Sequence, residues 1–407
     1  MKCRHCKINI SIDLCNLGFA PVSNGYLTKS QLSRKETYYP LRVGVCEACW
    51  LVQTEDFSSP EELFASDYAY FSSASSSFLA HAKSYVEMIV EKLALNSTSL
   101  VCEIASNDGY LLKNFHEKEI PCFGIEPTLS TAEASEALGI ENIKEFFGTS
   151  LAEKLSNDGR QCDLILGNNV FAHVPDINDF TIGLKTMLKI DGVVTLEFPH
   201  LVRLLASSQF DTIYHEHYSY LSLHAVNKIF QQSGLRLFHV EEIETHGGSL
   251  RVYGCRADSF RLEDPSVKAI LLDELTFGIC RAETYEGFQA KIINIKKSLL
   301  EFLLTQQANN KKVVGYGAAA KGNTLLNYSG IKPDLISYVF DGAQSKQNKF
   351  LPGSHIPILE PSKITAVNPD FVIIFPWNIA NEIQAIARPL VSPETKFLVA
   401  IPELKIL

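Results

Sequence analysis

Two long stretches of the chain alternate short apolar runs with segments of helical spacing, and this pattern constrains the fold most. The first stretch has apolar runs at 100–104, 122–125, 163–166 and 193–198, with predicted helices at 78–95 and 177–188. The second has a long amphipathic segment at 285–305, followed by runs at 312–315, 336–340 and 371–375. Strands that alternate with helices form βαβ units around a mainly parallel sheet. The sequence therefore predicts an α/β protein with two Rossmann-like units.

The length and charge of the chain exclude several classes of protein. Its 407 residues predict two or three domains, and its net charge of −9 disfavours nucleic-acid binding through bulk charge. No apolar stretch reaches the roughly 18 residues of a membrane span. The first residues lack the apolar core of a signal peptide. We therefore expect a cytoplasmic protein that binds neither nucleic acid nor a membrane. The sequence leaves the oligomeric state open, and a monomer is compatible with it.

The N-terminal segment differs from the rest because it carries two Cys-x-x-Cys pairs. These are Cys3 with Cys6 and Cys46 with Cys49, four of the ten cysteines. Four thiolates complete the tetrahedral shell of a structural zinc ion and leave no open position for catalysis. A redox dithiol needs only one pair, and redox or unbound thiols are the alternative. Because a segment of this size needs a staple, we predict a zinc-binding domain at residues 1–66.

A turn of small residues directly after the first predicted strand indicates a ligand site. Glu103 lies in that strand, and Ala105, Asn107 and Gly109 follow it before the next helix begins. The turn is not the dinucleotide fingerprint, because Ala105 and Asn107 stand where glycines would be. Glu126 follows the next strand, where a carboxylate can accept hydrogen bonds from a ribose. The pattern favours S-adenosylmethionine (SAM) over a dinucleotide. A solvated carboxylate at a strand end is the alternative for Glu126.

Polar side chains also follow the third predicted strand. Asn168 and Asn169 lie at its carboxyl end, where open α/β sheets bind ligands. We interpret both as contacts to SAM. His173 comes shortly afterwards and is interpreted as facing the substrate.

The densest run of titratable residues is at 214–218. It contains Tyr214, His215, Glu216 and His217 between apolar flanks. Histidines beside a carboxylate suit proton abstraction near neutral pH. The alternatives are a metal chelated by His215 and His217, or a polar network that only orders a loop. In a regular strand Tyr214 and Glu216 would point away from His217, so a shared site requires an irregular backbone.

The order of these motifs along the chain resembles one family. The two cysteine pairs are followed by the Glu103 run, the His173 loop, the 214–218 run, and further motifs at 245–251 and 315–322. This set is similar to the nucleotide-sugar C-3-methyltransferases that build branched deoxysugars, over nearly the whole chain. The resemblance implies a zinc-binding domain at 1–66, a Rossmann-like SAM methyltransferase domain at 67–255, and a Rossmann-like domain at 256–407 that binds the sugar nucleotide.

The resemblance also implies an activity and roles for residues. The expected reaction transfers a methyl group from SAM to C3 of a 4-keto-deoxysugar on a nucleoside diphosphate, through an enolate. His217 matches the family's base, with Tyr214, Glu216 and His173 as companions. The implied substrate-binding residues are Tyr68 or its close rival Tyr70, His246, and Lys321 beside a glycine turn. Interdomain packing of Tyr68 and a tight turn without a ligand are the alternatives.

Other functions compete with this interpretation. An O- or N-methyltransferase acting on a sugar or small metabolite would not need the 214–218 residues as a base. An NAD-linked oxidoreductase could use the glycine turn at 315–322 but leaves Glu103 and Glu126 unexplained. A zinc-ribbon adaptor for nucleic acid is disfavoured by the negative charge.

Overall fold

The computed structural model describes residues 1–57, 71–74 and 76–407, which are built around three β-sheets. The described strands are β1 (Ile12–Ala20), β2 (Tyr39–Val45), β3 (Val52–Thr54), β4 (Val101–Ile104), β5 (Cys122–Ile125), β6 (Glu141–Ile143), β7 (Cys162–Asn168), β8 (Leu188–Pro199), β9 (Ser219–Tyr220), β10 (Leu235–Ile243), β11 (Ser249–Arg256), β12 (Val313–Tyr316), β13 (Val339–Phe340), β14 (Ile358–Leu359), β15 (Phe371–Ile374), β16 (Lys396–Val399) and β17 (Lys405–Ile406).

Helices connect most of these strands. The described α-helices are α1 (Ser76–Leu93), α2 (Leu112–His116), α3 (Leu129–Glu136), α4 (Thr149–Asn157), α5 (Ile177–Met187), α6 (Leu201–Ala206), α7 (Leu223–Gln232), α8 (Pro265–Phe277), α9 (Phe288–Ala308), α10 (Ala320–Ser329), α11 (Ile364–Val367) and α12 (Ala380–Ala387). None of these helices combines the length and apolarity needed to cross a lipid bilayer.

The central sheet has seven strands in the order β10-β11-β8-β7-β4-β5-β6. Strands β4 to β8 run parallel, and β11 lies antiparallel to both of its neighbours. The parallel strands read as apolar runs because helices cover both faces. Helix α1 buries Ala82, Tyr85, Val86 and Ile89 at helical spacing. The predicted α/β architecture of this region is confirmed, and its parallel strands end at one edge, where the candidate ligand residues lie.

The C-terminal sheet has the order β14-β13-β12-β15-β16-β17. Its first five strands are parallel and β17 is antiparallel, so the second Rossmann-like unit is also confirmed. Strand β11 of the central sheet ends at Arg256 and α8 begins at Pro265. The predicted division at 255/256 stays a prediction, and it falls before the last residue of β11.

The N-terminal sheet has the order β1-β2-β3-β9 and is antiparallel. Its last strand, β9, comes from the middle of the chain and directly follows the 214–218 run. Val52 pairs with Tyr220, and Gln53 pairs with Ser219. The N-terminal sheet also shares a continuous apolar core with the C-terminal unit, in which Leu14, Val43 and Val339 are all buried. The N-terminal segment is thus built into the other two units.

Candidate functional site

The four predicted metal ligands form one cluster. The Sγ atoms of Cys3, Cys6, Cys46 and Cys49 all lie within 4.8 Å of one another. The Sγ atoms of Cys3 and Cys49 are 3.4 Å apart, as are those of Cys6 and Cys46. Tetrahedral Zn–S bonds of about 2.3 Å place sulfurs about 3.8 Å apart, so the cluster fits a zinc ion.

The turn after β4 has an unusual backbone. Ala105, Asn107 and Gly109 have φ values of 56°, 51° and 76°, in the left-handed region. A Cβ at Gly109 would lie 2.5 Å from the Ser135 Oγ atom, so this position requires glycine. The Asn107 side chain accepts a hydrogen bond of 2.9 Å from the Ser72 amide, which ties the segment before α1 to the turn. Strained non-glycine residues of this kind cluster at ligand sites.

Glu126 directly follows β5 and accepts hydrogen bonds from two backbone amides. Its Oε2 atom accepts a hydrogen bond from the Asn107 amide at 2.9 Å, and its Oε1 atom accepts one from the Thr128 amide at 2.8 Å. Burial raises the pKa of the Glu126 carboxyl, partly offset by its hydrogen bonds to Thr128. Glu126 is therefore fixed at the predicted ligand site and is not a solvated carboxylate.

Other buried acceptors converge on the same sheet edge. Glu103 is 1% exposed, and burial raises its pKa well above the ordinary value. Its Oε2 atom and the Oδ1 atom of Asn168 have no hydrogen-bond partner among the described residues. Asn169 has a φ of 56°, and its amide donates to the Glu197 carbonyl at 2.8 Å. Buried acceptors need donors, and the amine and hydroxyl groups of SAM fit this set.

The 214–218 run forms a turn instead of a strand. The His217 amide donates to the Tyr214 carbonyl at 2.9 Å, which brings both side chains to one side. The Tyr214 Oη atom lies 2.7 Å from the His217 Nε2 atom, and the His217 Nδ1 atom lies 2.7 Å from the Thr212 carbonyl oxygen. A carbonyl only accepts, so Nδ1 carries the proton. Nε2 is therefore the basic nitrogen, and it accepts a hydrogen bond from the Tyr214 hydroxyl.

His173 and His246 lie close to this pair and are neutral at pH 7. The rings of His173 and His217 meet edge to face, with centroids 4.6 Å apart. Burial lowers the pKa of His173 to about 4 and that of His246 to about 3. Burial also lowers the pKa of His217 well below its ordinary value, and His173, His246 and Lys321 reinforce the effect. The structure thus brings Tyr214, His217, His173 and His246 into one site.

The remaining members of the run face the N-terminal segment. The Glu216 Oε2 atom accepts a hydrogen bond of 2.6 Å from the Asn24 side chain. The His215 Nε2 atom donates to the Pro40 carbonyl at 3.2 Å. His215 and His217 therefore bind different backbone carbonyls, and the arrangement favours a histidine base over a chelated metal.

Lys321 reaches the site from the first turn of α10. Its Nζ atom donates to Asn378 Oδ1 at 3.1 Å and lies 4.6 Å from the centre of the Trp377 ring. Burial lowers the pKa of Lys321, and the Asp211 carboxylate partly opposes this. A Cβ at Gly247 would lie 2.3 Å from the Trp377 ring, so a glycine there permits close approach of the two units.

The glycine turn beside Lys321 makes hydrogen bonds to other parts of the protein. The Ala318 amide donates to Asp341 Oδ2 at 2.7 Å, so this amide is already bound to a carboxylate. The Tyr26 hydroxyl donates to the Ala318 carbonyl at 2.6 Å. An anion at this turn would therefore meet the first-turn amides of α10 or the ammonium group of Lys321, and not the Ala318 amide.

Several residues at the site escaped the sequence analysis. Trp377 follows β15 at the carboxyl edge of the C-terminal sheet, and that position is a signal that could have identified it. Thr212 acts through its backbone, and Asn24 is distant in sequence, so neither leaves a local signal. The rival candidates Tyr68 and Tyr70 lie outside the described residues.

Comparisons with known proteins agree along the whole chain. Three family models match, described as "Putative zinc binding domain" at residues 3–64, "Methyltransferase domain" at 78–240 and "C-methyltransferase C-terminal domain" at 244–402. The C-methyltransferase NovU from Streptomyces niveus is 33% identical over 406 residues, which cover 100% of this chain and 96% of that protein.

Solved structures also match part of the chain. The magnesium protoporphyrin IX methyltransferase ChlM from Synechocystis PCC 6803, solved with SAH, is 15% identical with a TM-score of 0.35. The match covers 44% of this chain and 82% of ChlM. The PH0226 protein from Pyrococcus horikoshii OT3 is 12% identical with a TM-score of 0.39, covering 49% of this chain and 99% of that protein.

Proposed function

The chain belongs to the family of SAM-dependent C-methyltransferases with a zinc-binding domain, and from this premise we propose which atom it methylates. The proposed acceptor is C3 of a 4-keto-deoxysugar carried on a nucleoside diphosphate. The observation that carries the proposal is the neutral Tyr214–His217 pair, with 2.7 Å between the Tyr214 Oη and His217 Nε2 atoms. Methyl transfer to carbon requires removal of a proton, and this pair is a base ready to accept one.

The chemistry follows from the acceptor. The ketone at C4 acidifies the C3 hydrogen, and removal of that proton gives an enolate whose carbon is nucleophilic. SAM supplies an electrophilic methyl group on sulfonium. We assign the proton to the His217 Nε2 atom, because the Thr212 carbonyl fixes the tautomer in which this nitrogen is basic. The Tyr214 hydroxyl and the His173 ring border the same space, and a donor there would stabilise the developing enolate charge.

Two alternative functions account for these residues less completely. An O- or N-methyltransferase acts on an atom that already has a lone pair, so it does not need a base that removes a proton from carbon, although a base can assist transfer to a hydroxyl oxygen. An NAD-linked oxidoreductase would need the turn at 315–322 for its pyrophosphate, but Asp341 occupies the Ala318 amide there. Calorimetry separates the oxidoreductase from the methyltransferases: we expect SAM to bind and NAD to give no heat. Binding of NAD with no binding of SAM would contradict the proposal.

The pH dependence of kcat/KM tests the state of the base in the free enzyme. A histidine with a lowered pKa stays neutral until the pH falls below its ordinary value of about 6.5. The groups that face His217 are Tyr214, His173, His246 and Lys321, and burial keeps all three histidines neutral. We therefore expect kcat/KM to be flat near neutral pH and to decline only in acid well below pH 6.5. Loss of activity centred at or above pH 6.5 would show that another group is the base.

A substitution at Glu126 tests the proposed SAM site. Glu126→Ala removes an acceptor for the ribose and also the anchor of the Asn107 and Thr128 amides. We expect weaker SAM binding, by a few kcal/mol at most, measured by calorimetry. Glu126→Gln keeps one acceptor oxygen and is expected to lose less. If both variants bind SAM as tightly as the wild type, the cofactor lies elsewhere.

A substitution at Lys321 tests the proposed diphosphate contact. A contact to the diphosphate, and not to the reacting carbon, contributes mainly uniform binding, so Lys321→Ala should raise KM for the sugar nucleotide more than it lowers kcat. Lys321→Arg retains the charge and is expected to retain part of the affinity. Steady-state kinetics with saturating SAM measure both parameters. A fall in kcat with KM unchanged would instead place Lys321 in the chemical step.

A further inference from the structure

A buried arginine lies within the first cysteine pair and contacts the segments that carry His173 and His217. Arg4 lies between Cys3 and Cys6 and is 5% exposed. Its Nη1 atom donates to the Pro175 carbonyl at 2.7 Å, and its Nη2 atom donates to the Thr54 carbonyl at 3.1 Å. Arg4 therefore joins the metal-binding segment to β3 and to the loop that carries His173.

Two further contacts complete the surroundings of this guanidinium group. Its Nη2 atom lies 2.7 Å from Asp56 Oδ1, and its Cζ atom lies 5.2 Å from the centre of the Tyr218 ring. Asp56 supplies the opposite charge that a buried guanidinium group needs. Tyr218 directly follows His217, so Arg4 also contacts the catalytic turn.

The groups that Arg4 contacts are bound to one another in a closed ring. The Tyr218 amide donates to the Ala172 carbonyl at 2.8 Å, which joins the turn to the His173 loop. The Thr54 amide donates to the Tyr218 carbonyl at 3.1 Å, and the Thr54 hydroxyl donates to the His217 carbonyl at 3.0 Å. The backbone segments that carry His173 and His217 are therefore held together through β3, and Arg4 contacts each of these segments.

The neighbouring residue makes a second link from the same cysteine pair. The His5 Nδ1 atom donates to Asn178 Oδ1 at 2.7 Å, and the Asn178 side chain donates back to the His5 carbonyl at 2.9 Å. Asn178 lies in the first turn of α5, directly after the His173 loop. Both residues enclosed by Cys3 and Cys6 thus hold the loop that carries His173.

We propose that Arg4 is a positioning residue for His173 and His217. The zinc-binding segment thereby sets the geometry of the active site as well as the stability of the fold. A metal-bound Cys-x-x-Cys loop has a fixed backbone, and Arg4 transmits this rigidity to the segments on either side of His173 and His217. The fork of a guanidinium group is suited to holding several acceptors at fixed angles. The inference rests on the proposed function for the roles of His173 and His217.

The test compares Arg4→Gln with Glu36→Gln in the zinc-loaded, full-length protein. Glu36 is a matched control because it joins the N-terminal segment to the C-terminal unit, accepting hydrogen bonds from the Gly353 amide at 2.8 Å and His355 at 2.9 Å. We expect Arg4→Gln to retain zinc and SAM affinity, while kcat falls by about tenfold or more because misplaced groups react slowly. Amide hydrogen exchange should increase in peptides covering 172–178 and 214–220, and in the contacted segment 52–56, and remain normal elsewhere. Glu36→Gln should change neither quantity.

The outcomes separate this inference from the proposed function. Normal exchange and normal kcat in Arg4→Gln would overturn the inference, as would increased exchange throughout the chain with the same loss in Glu36→Gln. Local exchange in 172–178 and 214–220 would support the positioning role even if the protein methylates no sugar, which would contradict only the proposed function. If Arg4→Gln does not fold, Arg4→Lys keeps the buried charge but loses the fork, and the same local exchange is expected.

Discussion

Replacing His217 with asparagine is expected to abolish most methyl transfer while both ligands still bind. Asparagine keeps the polarity of the turn but cannot accept a proton, and loss of a general base typically costs about a hundred- to ten-thousand-fold in rate. Tyr214→Phe is the matched variant, because it removes the hydroxyl that donates to the His217 Nε2 atom and leaves the ring. Calorimetry should show unchanged affinity for SAM in both.

Hydrogen exchange at the substrate carbon isolates the step that His217 performs. In deuterated water the wild type should incorporate deuterium at C3 of the sugar without completing methyl transfer, and His217→Asn should not. A variant that still exchanges and methylates at a rate near the wild type would show that another group is the base. Tyr214 and His173 would then be the next candidates, even if the reaction class remained correct.

Loss of one cysteine ligand is the second change with a large expected effect. Cys46→Ser leaves three thiolates, and structural zinc sites contribute on the order of 10 kcal/mol to folding, so both metal and stability should be lost. The loss should also disturb the catalytic turn, because the N-terminal sheet includes β9 and borders that turn. Metal analysis of the purified protein and denaturant unfolding measure the two effects.

The control for this variant is a cysteine outside the cluster. Cys280 is half-buried and is not one of the four clustered ligands. Cys280→Ser should retain zinc and most of the stability. If Cys46→Ser contains as much zinc as the wild type and unfolds at the same denaturant concentration, the cluster is not a zinc site.

Local patterns in the sequence predicted the parallel strands, and with them the edge at which ligand residues gather. The predicted strand at 122–125 matches β5, and the predicted helix at 177–188 matches α5, whose N-cap Asp176 accepts hydrogen bonds from the Asn178 and Asp179 amides. These elements are specified by apolar spacing and end signals that lie within a few residues of them.

Contacts between distant segments could not be predicted in the same way. The 214–218 run is a turn because β9 pairs with β3, which lies more than 160 residues earlier in the chain. The partner of Glu216 is Asn24, and the partner of the Trp377 indole is Asp211, each from another part of the fold. No local period encodes such pairs, so the role of Arg4 became visible only in the folded chain.

The most direct test of the proposed chemistry is the position of the transferred methyl group. The protein would be incubated with SAM carrying a ¹³C-labelled methyl group and with a panel of nucleoside-diphosphate 4-keto-deoxysugars. Mass spectrometry would identify the sugar that gains one methylene, and NMR would locate the label. We predict that the labelled carbon is bonded directly to C3 of the sugar. A label bonded to oxygen or nitrogen, or no gain in mass with any 4-keto sugar, would contradict the proposal.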